Sequence, residues 1–140
     1  MAERPERQER QLILVDTSIW IDLLRGRLET PDLDLVLHHF AHCPPIVQEI
    51  LQGIGVEASV PRIQRNLLAF PTLSNPIPLD IHLEAAAVYR LGRRKGISIR
   101  SSNDCLIAAI AIHHRVPVWH RDRDFSAIAR FTALDEYQPA

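Results

Sequence analysis

Apolar positions along the chain fall into two kinds of pattern. Leu12-Ile13-Leu14-Val15 and Val116-Pro117-Val118-Trp119 are short runs with almost no polar interruption, which suits parallel strands buried on both faces. Elsewhere apolar residues recur at helical spacing. The first run stops at Asp16-Thr17-Ser18, whose carboxylate and hydroxyls can cap a helix over Ile19–Arg25, with Gly26 as its C′ residue. Thr30-Pro31 reads as an N-cap and N1 pair opening a helix through about His39. Pro44-Pro45 breaks the chain, and the pattern predicts a further helix from about Val47 to Leu51, loosened by Gly53 and Gly55. Helical spacing returns over Arg62–Phe70. An irregular passage marked by Pro71, Pro76 and Pro78 follows, with room for a short strand at Leu73–Pro78. A longer helix runs from Asp80 or Ile81 to Arg94, with Gly96 as its stop, and an apolar helix spans Asp104–His114 behind the caps offered by Ser101-Ser102-Asn103. Phe125–Arg130 predicts one or two helical turns, and Phe131–Leu134 a final edge strand.

Strands alternating with helices predict a three-layer α/β/α domain around a central parallel sheet. In such sheets the ligand site lies beyond the carboxyl ends of the strands. Both predicted buried strands run into aspartates there, Asp16 after the first and Asp122 and Asp124 after the second.

A length of 140 residues fits one domain. Residues 1–11 are polar, carry Pro5 and read as a flexible arm, leaving 12–140 as the folded unit. The net charge of −1 argues against a broadly basic nucleic-acid coat. Positive charge is nearly all arginine, with Lys95 the only lysine; arginine is the better fork for phosphate, although genome composition produces the same bias. Cys43 and Cys105 make no disulfide framework and read as buried thiols. No apolar run reaches the roughly 18 residues needed to cross a bilayer, and the charged start has no signal-peptide core, so a cytoplasmic protein without membrane contact is expected.

The carboxylates change the picture most. An aspartate after a strand is ordinarily a helix cap, a glutamate in an apolar stretch ordinarily faces water, and Asp104 suits the dipole of the helix it opens. Here, however, the strand ends hold more acid than capping needs. Several carboxylates gathered at one sheet edge stay ionised together only around a cation. Mg²⁺ or Mn²⁺ suits oxygen-only ligands, and with no Ser–His pair or thiol motif this chemistry points to phosphodiester hydrolysis rather than acyl transfer.

Four segments then carry a family resemblance. Leu14-Val15-Asp16-Thr17-Ser18-Ile19-Trp20-Ile21-Asp22-Leu23-Leu24-Arg25-Gly26 resembles the opening of PIN-domain proteins, specifically VapC-type toxins. Pro44 to Gly53, around Glu49, resembles their second acidic motif; Asn103-Asp104-Cys105-Leu106-Ile107-Ala108-Ala109 resembles the third; His120-Arg121-Asp122-Arg123-Asp124-Phe125 resembles the fourth. The resemblance implies a PIN fold and a Mg²⁺- or Mn²⁺-dependent endoribonuclease, the toxin of a toxin–antitoxin pair, with RNA as substrate, a VapB-like antitoxin as partner and a homodimer as assembly. It also implies the site. Asp16, Glu49, Asp104 and Asp122 form the acidic quartet, with Asp16, Asp104 and Asp122 as metal ligands. Glu49 ligates or orients the attacking water, Asp124 competes for the place of Asp122, and Thr17 or Ser18 positions a ligand or phosphate. His120 stands where the family often has threonine.

Other features have plainer explanations beside functional ones. His38 and His42, with His39 and Cys43 beside them, have zinc-like spacing, but no second pair with metal spacing exists and structural histidines are expected. Arg90, Arg93, Arg94, Lys95 and Arg100 form either a phosphate track or a solvated helix end, while Arg121 and Arg123 flank the acids and are better placed for RNA. Trp20, Ile21, Leu23 and Leu24 do not all fit one inward face, so apolar surface is expected for the antitoxin. The alternatives are a DNA-directed nuclease of the same fold and a non-catalytic binding module. A phosphoacceptor receiver is disfavoured because Lys95 lies far from the last strand.

Overall fold

The computed structural model describes residues 11–139; the predicted arm lies almost entirely outside the described residues. Three parallel strands form the sheet in the order β2-β1-β3, with β1 Ile13–Val15, β2 Phe40–Ala41 and β3 Val118–Trp119. Leu14 lies opposite Ala41 on one side and Val118 on the other. The centre of the sheet is therefore built from strands with no polar side chain, as a sheet covered on both faces requires.

Seven α-helices surround it among the described residues: α1 Thr17–Leu24, α2 Leu33–Val36, α3 Pro44–Gln52, α4 Val60–Leu68, α5 Leu79–Arg94, α6 Ser102–His114 and α7 Arg123–Ala129. None is long and apolar enough to cross a membrane. Helix α6 is the interior one. Cys105 and the whole run Ile107–Ala111 are buried, and α5 packs along it over most of its length. Small alanines at 108, 109 and 111 let neighbouring backbones approach, while Ile107 and Ile110 fill the space between. Gly92 serves the same end on α5, since a Cβ there would meet Ile99 and Phe131 at 3.1 Å.

The helix ends follow the sequence signals at α1 and α5, where Gly26 and Gly96 take positive φ values of 67° and 77° just past the last turn. Five expectations are corrected. No helix opens at Thr30-Pro31: Asp32 adopts the left-handed conformation, which Asp tolerates, and α2 starts only after it. The expected helix through His39 ends in a 3₁₀ turn at Leu37–His39 and gives way to β2. Pro44 and Pro45 start α3 rather than break the chain, because the first turn of a helix needs no N–H from them. Leu73–Pro78 and Phe131–Leu134 form no strands. Pro76 and Pro78 strip the first of donors, and pairing is confined to an isolated bridge between His42 and Thr72 just before it. In the second, the Thr132 hydroxyl donates to the Ile128 carbonyl at 2.8 Å, so pairing beside β3 is postponed to Glu136.

His42, fully buried, donates from Nε2 to the Leu67 carbonyl at 2.8 Å, and its ring lies against Trp20. Burial lowers its pKa, so it is a neutral core residue. It shares no ligand arrangement with His38, which is exposed on the 3₁₀ turn. Replacing Leu14 with alanine, in the middle of the central strand, is expected to cost about 2–5 kcal/mol in a urea titration. Leu35→Ala, at a side chain 68% exposed, is expected to cost less than about 0.5 kcal/mol.

Candidate metal-binding active site

Asp16 leaves the end of β1 and occupies the N-cap position of α1, yet its side chain makes no capping bond. The ordinary use of an aspartate at this place is therefore not made. The neighbouring Thr17 hydroxyl also turns away from the helix and donates to Glu49 Oε2 at 2.7 Å. Asn103 Nδ2 donates to the other carboxylate oxygen of Glu49. Both oxygens are thus gripped, from α1 and α6, and the Glu49 carboxylate of α3 is fixed in direction. Ser18 is exposed at the start of α1.

Asp104 enters from the first turn of α6, and Asp122 and Asp124 from the segment after β3. One ligand atom from each of these three aspartates lies within 4.8 Å of the others. Asp122 and Asp124 both stand beside Asp104. Asp122 also caps α7, accepting the Asp124 N–H at 2.9 Å. Its own N–H donates to His120 Nδ1 at 3.0 Å, which makes that nitrogen the unprotonated one. His120 Nε2 then carries the proton and donates to Glu136 at 2.7 Å, where the Ser126 hydroxyl also donates. Burial tends to raise the Glu136 carboxyl, but the Ser126 and His120 hydrogen bonds outweigh it and hold it below its ordinary value. Behind the acids, His120 therefore works as a strut for the Asp122 backbone.

Electrostatics show the cost of this gathering. Asp104 is pushed up to about 7, first by burial and then by the charges of Asp122, Asp16, Asp124 and Glu49. Asp16 is raised to about 6, again chiefly by burial, with Glu49 and Asp122 adding to it against a backbone hydrogen bond from Thr17. The ion pairs among the described residues are His120–Glu136 and Arg121–Asp22, so none of the five acids is neutralised by a paired side chain. An all-oxygen donor set, partly buried and short of positive charge, fits a hard divalent cation. The two thiols do not enter: burial raises Cys43 to about 12 and Cys105 to about 11, values at which neither is a ligand or nucleophile.

A profile of the PIN domain matches residues 13–131, which spans β1 through the end of α7. This chain belongs to the PIN-domain family. Within it, Ribonuclease VapC11 of Mycobacterium tuberculosis is 39% identical over 129 residues, covering 88% of this chain and 96% of that protein. VapC ribonuclease Mb1587 of Mycobacterium bovis matches to the same extent. The fold is similar to VapBC2 from Rickettsia felis, solved with a promoter DNA fragment, at a TM-score of 0.67 and 16% identity over 90% of this chain and 97% of that one. It is also similar to VapBC-5 from M. tuberculosis, at a TM-score of 0.66 and 20% identity over the same shares.

Around the acids of this PIN domain, the arginines separate. Arg121 is paired with Asp22, whereas Arg93 and Arg94 are exposed at the end of α5, as a solvated helix terminus would be. Arg123 sits in the first turn of α7 beside Asp124. Trp20 is fully buried against Phe40, His42 and Phe70, so it is removed from the surface expected for a partner. Ile21 and Leu24 remain partly exposed and line a hollow of about 240 Å3 with Ile50, Ile54, Val56 and Ile63. Sequence reasoning missed Asn103 as the second grip on Glu49 and Glu136 as the anchor of His120. Each pairing joins residues far apart in the chain and leaves no local signal.

Asp104 is harder to ionise in the folded protein than in the unfolded one. At low pH it is neutral in both states and costs nothing. The penalty grows as pH rises from the ordinary 3.8 towards about 7 and is complete above that. Without divalent ions, the Tm of Asp104→Asn is therefore expected to exceed that of the wild type by several degrees at about pH 8 and by far less at about pH 4, in paired thermal melts. Added Mn²⁺ should raise the wild-type Tm at the higher pH and leave the variant nearly unmoved.

Proposed function

We propose that this chain is the toxin of a toxin–antitoxin pair, an endoribonuclease that hydrolyses RNA phosphodiester bonds with Mg²⁺ or Mn²⁺ held by Asp16, Asp104 and Asp122. Asp124 assists them. One observation carries the reading: Asp104, Asp122 and Asp124 bring ligand atoms within 4.8 Å of one another, the charges of Asp16 and Glu49 reach this group, and no cationic side chain is paired to any of the five among the described residues. Relatives of the chain that bear the name ribonuclease support RNA as the polymer. When bound, the cation neutralises charge on the phosphate and on the leaving oxygen.

The protein's own residues do the rest. Glu49, oriented by Thr17 and Asn103, accepts the proton of the attacking water. His120 and Glu136 hold the Asp122 backbone so that its side chain stays at the site. Arg123 contacts the RNA backbone. The apolar hollow lined by Ile21, Leu24 and Val56 receives apolar side chains of a VapB-like antitoxin, with α1 as one wall. A second copy of the chain covers Leu79 and Leu83, which stand one turn apart on the outer side of α5 and are 71% and 59% exposed. The site needs no membrane, and a cytoplasmic setting suits its substrate.

Purified, partner-free protein incubated with a cellular RNA pool is expected to give discrete fragments with Mg²⁺ or Mn²⁺ and none with EDTA. Asp16→Asn should slow cleavage by at least about 100-fold while leaving the far-ultraviolet spectrum intact. Thr17→Val, which removes one grip on Glu49, should slow it about tenfold. Intact RNA from folded protein supplied with metal would sink the nuclease reading in favour of a binding module. Leu83→Glu is expected to convert a dimer to a monomer in light scattering, and an unchanged mass would remove α5 as the interface.

A further inference from the structure

Arg100, Arg123 and Arg130 line one hollow of about 350 Å3, together with Ser98, Ala127 and Asp124. They arrive from separate places: Arg100 from the segment before α6, Arg123 from the first turn of α7 and Arg130 from its C-terminal cap. Arg123 and Arg130 are seven residues apart, two helical turns, and so share a face. All three are exposed, and among the described residues none forms an ion pair. Arg130 lies near enough to Glu136 to influence it, but that carboxylate already accepts hydrogen bonds from His120 and Ser126. Three guanidinium groups around one hollow repel one another unless an anion lies between them.

Asp124 is the wall the hollow shares with the acidic site. It belongs to the group formed with Asp104 and Asp122, and its Oδ2 accepts the backbone N–H of Arg100 at 3.3 Å. A negative cluster that calls for a cation and a positive hollow that calls for an anion thus stand back to back across one side chain. A polyanion cut at the first would lay a neighbouring charge in the second. Arginine forks match the two free oxygens of a phosphodiester, and three of them carry more charge than one protein carboxylate would balance.

We propose that this hollow binds a backbone phosphate of the RNA strand next to the one that is cleaved, and so fixes how the strand crosses the acidic site. The proposal rests on the nuclease reading and adds a subsite to it. Arg121 does not share this role, since Asp22 already holds it.

The test uses the full chain carrying Asp16→Asn, so that RNA is bound and not cut. Affinity for a single-stranded oligoribonucleotide is measured over a range of salt, with magnesium present. Arg100→Ala, Arg123→Ala and Arg130→Ala added singly are each expected to weaken binding about five- to tenfold and to flatten the logarithmic salt slope by about 0.7. Arg65→Ala, the same loss of charge on α4, should change neither. One uncharged methylphosphonate linkage, moved along the oligonucleotide, should at one position reproduce the loss in the parent and add nothing in Arg123→Ala. Circular dichroism checks that the exposed substitutions leave the fold intact. Unchanged affinity and slope in all three variants would overturn the subsite, while metal-dependent cleavage by the wild type would still uphold the nuclease reading. RNA neither bound nor cut by the wild-type chain would overturn both. Unchanged RNA affinity with a weaker hold on an antitoxin chain would also overturn it and give the hollow to a protein carboxylate.

Discussion

Repulsion among carboxylates held at one edge of the sheet is the constraint around which the rest of the molecule is arranged. Asp16, Glu49, Asp104, Asp122 and Asp124 come from four separate stretches of chain, and the charges of their neighbours add to burial in raising Asp104 and Asp16. Left to themselves, mobile side chains would turn outward and relax this field. The structure denies them that freedom. Asp104 is rooted in the most buried helix, Glu49 is gripped at both oxygens, and Asp122 is tied through its backbone to His120. The scaffold thus stores an electrostatic strain that a bound cation would relieve.

Such a scaffold is possible because the sheet is small and its surroundings are rigid. Strands of two or three residues contribute little pairing of their own. Support comes instead from α6, whose alanines let α5 pack closely along it, and from the aromatic group of Trp20, Phe40, His42 and Phe70. After β1 and β3 the change from strand to helix also aims an aspartate, Asp16 and Asp122, whereas β2 leads through His42 and Cys43 into α3, which carries Glu49. Fold and site are one arrangement described at two scales.

Much of this was legible in the sequence where physics is local. Unbroken apolar runs marked β1 and β3, glycines marked the ends of α1 and α5, and the alanine-rich stretch marked α6. Strand ends running into Asp16 and Asp122 pointed to the site, and resemblance supplied the order in which the acids occur. Legibility failed where distant residues decide. Phe40-Ala41 is too short to announce a strand and becomes one only because Leu14 lies opposite. Pro44-Pro45 looks like a break and is a helix start. Trp20 sits on a helix with surplus apolar residues, and only tertiary packing shows that it, rather than Leu24, is the one withdrawn from the surface. The pairings of Glu49 with Asn103 and of His120 with Glu136 are contacts of the same kind.

The order of the sheet has a consequence for how the protein comes into being. Its central strand is translated long before β3, which pairs with it at Leu14–Val118 and Val15–Trp119. Asp16 meets Asp122 only when these two strands, remote in sequence, close on each other. Contacts this remote in sequence form late, after the intervening loop has lost its freedom. A nascent fragment therefore holds some of the acids but never their cluster. The acidic cluster is thus a property of the paired sheet, and it does not precede the closing of β3 onto β1.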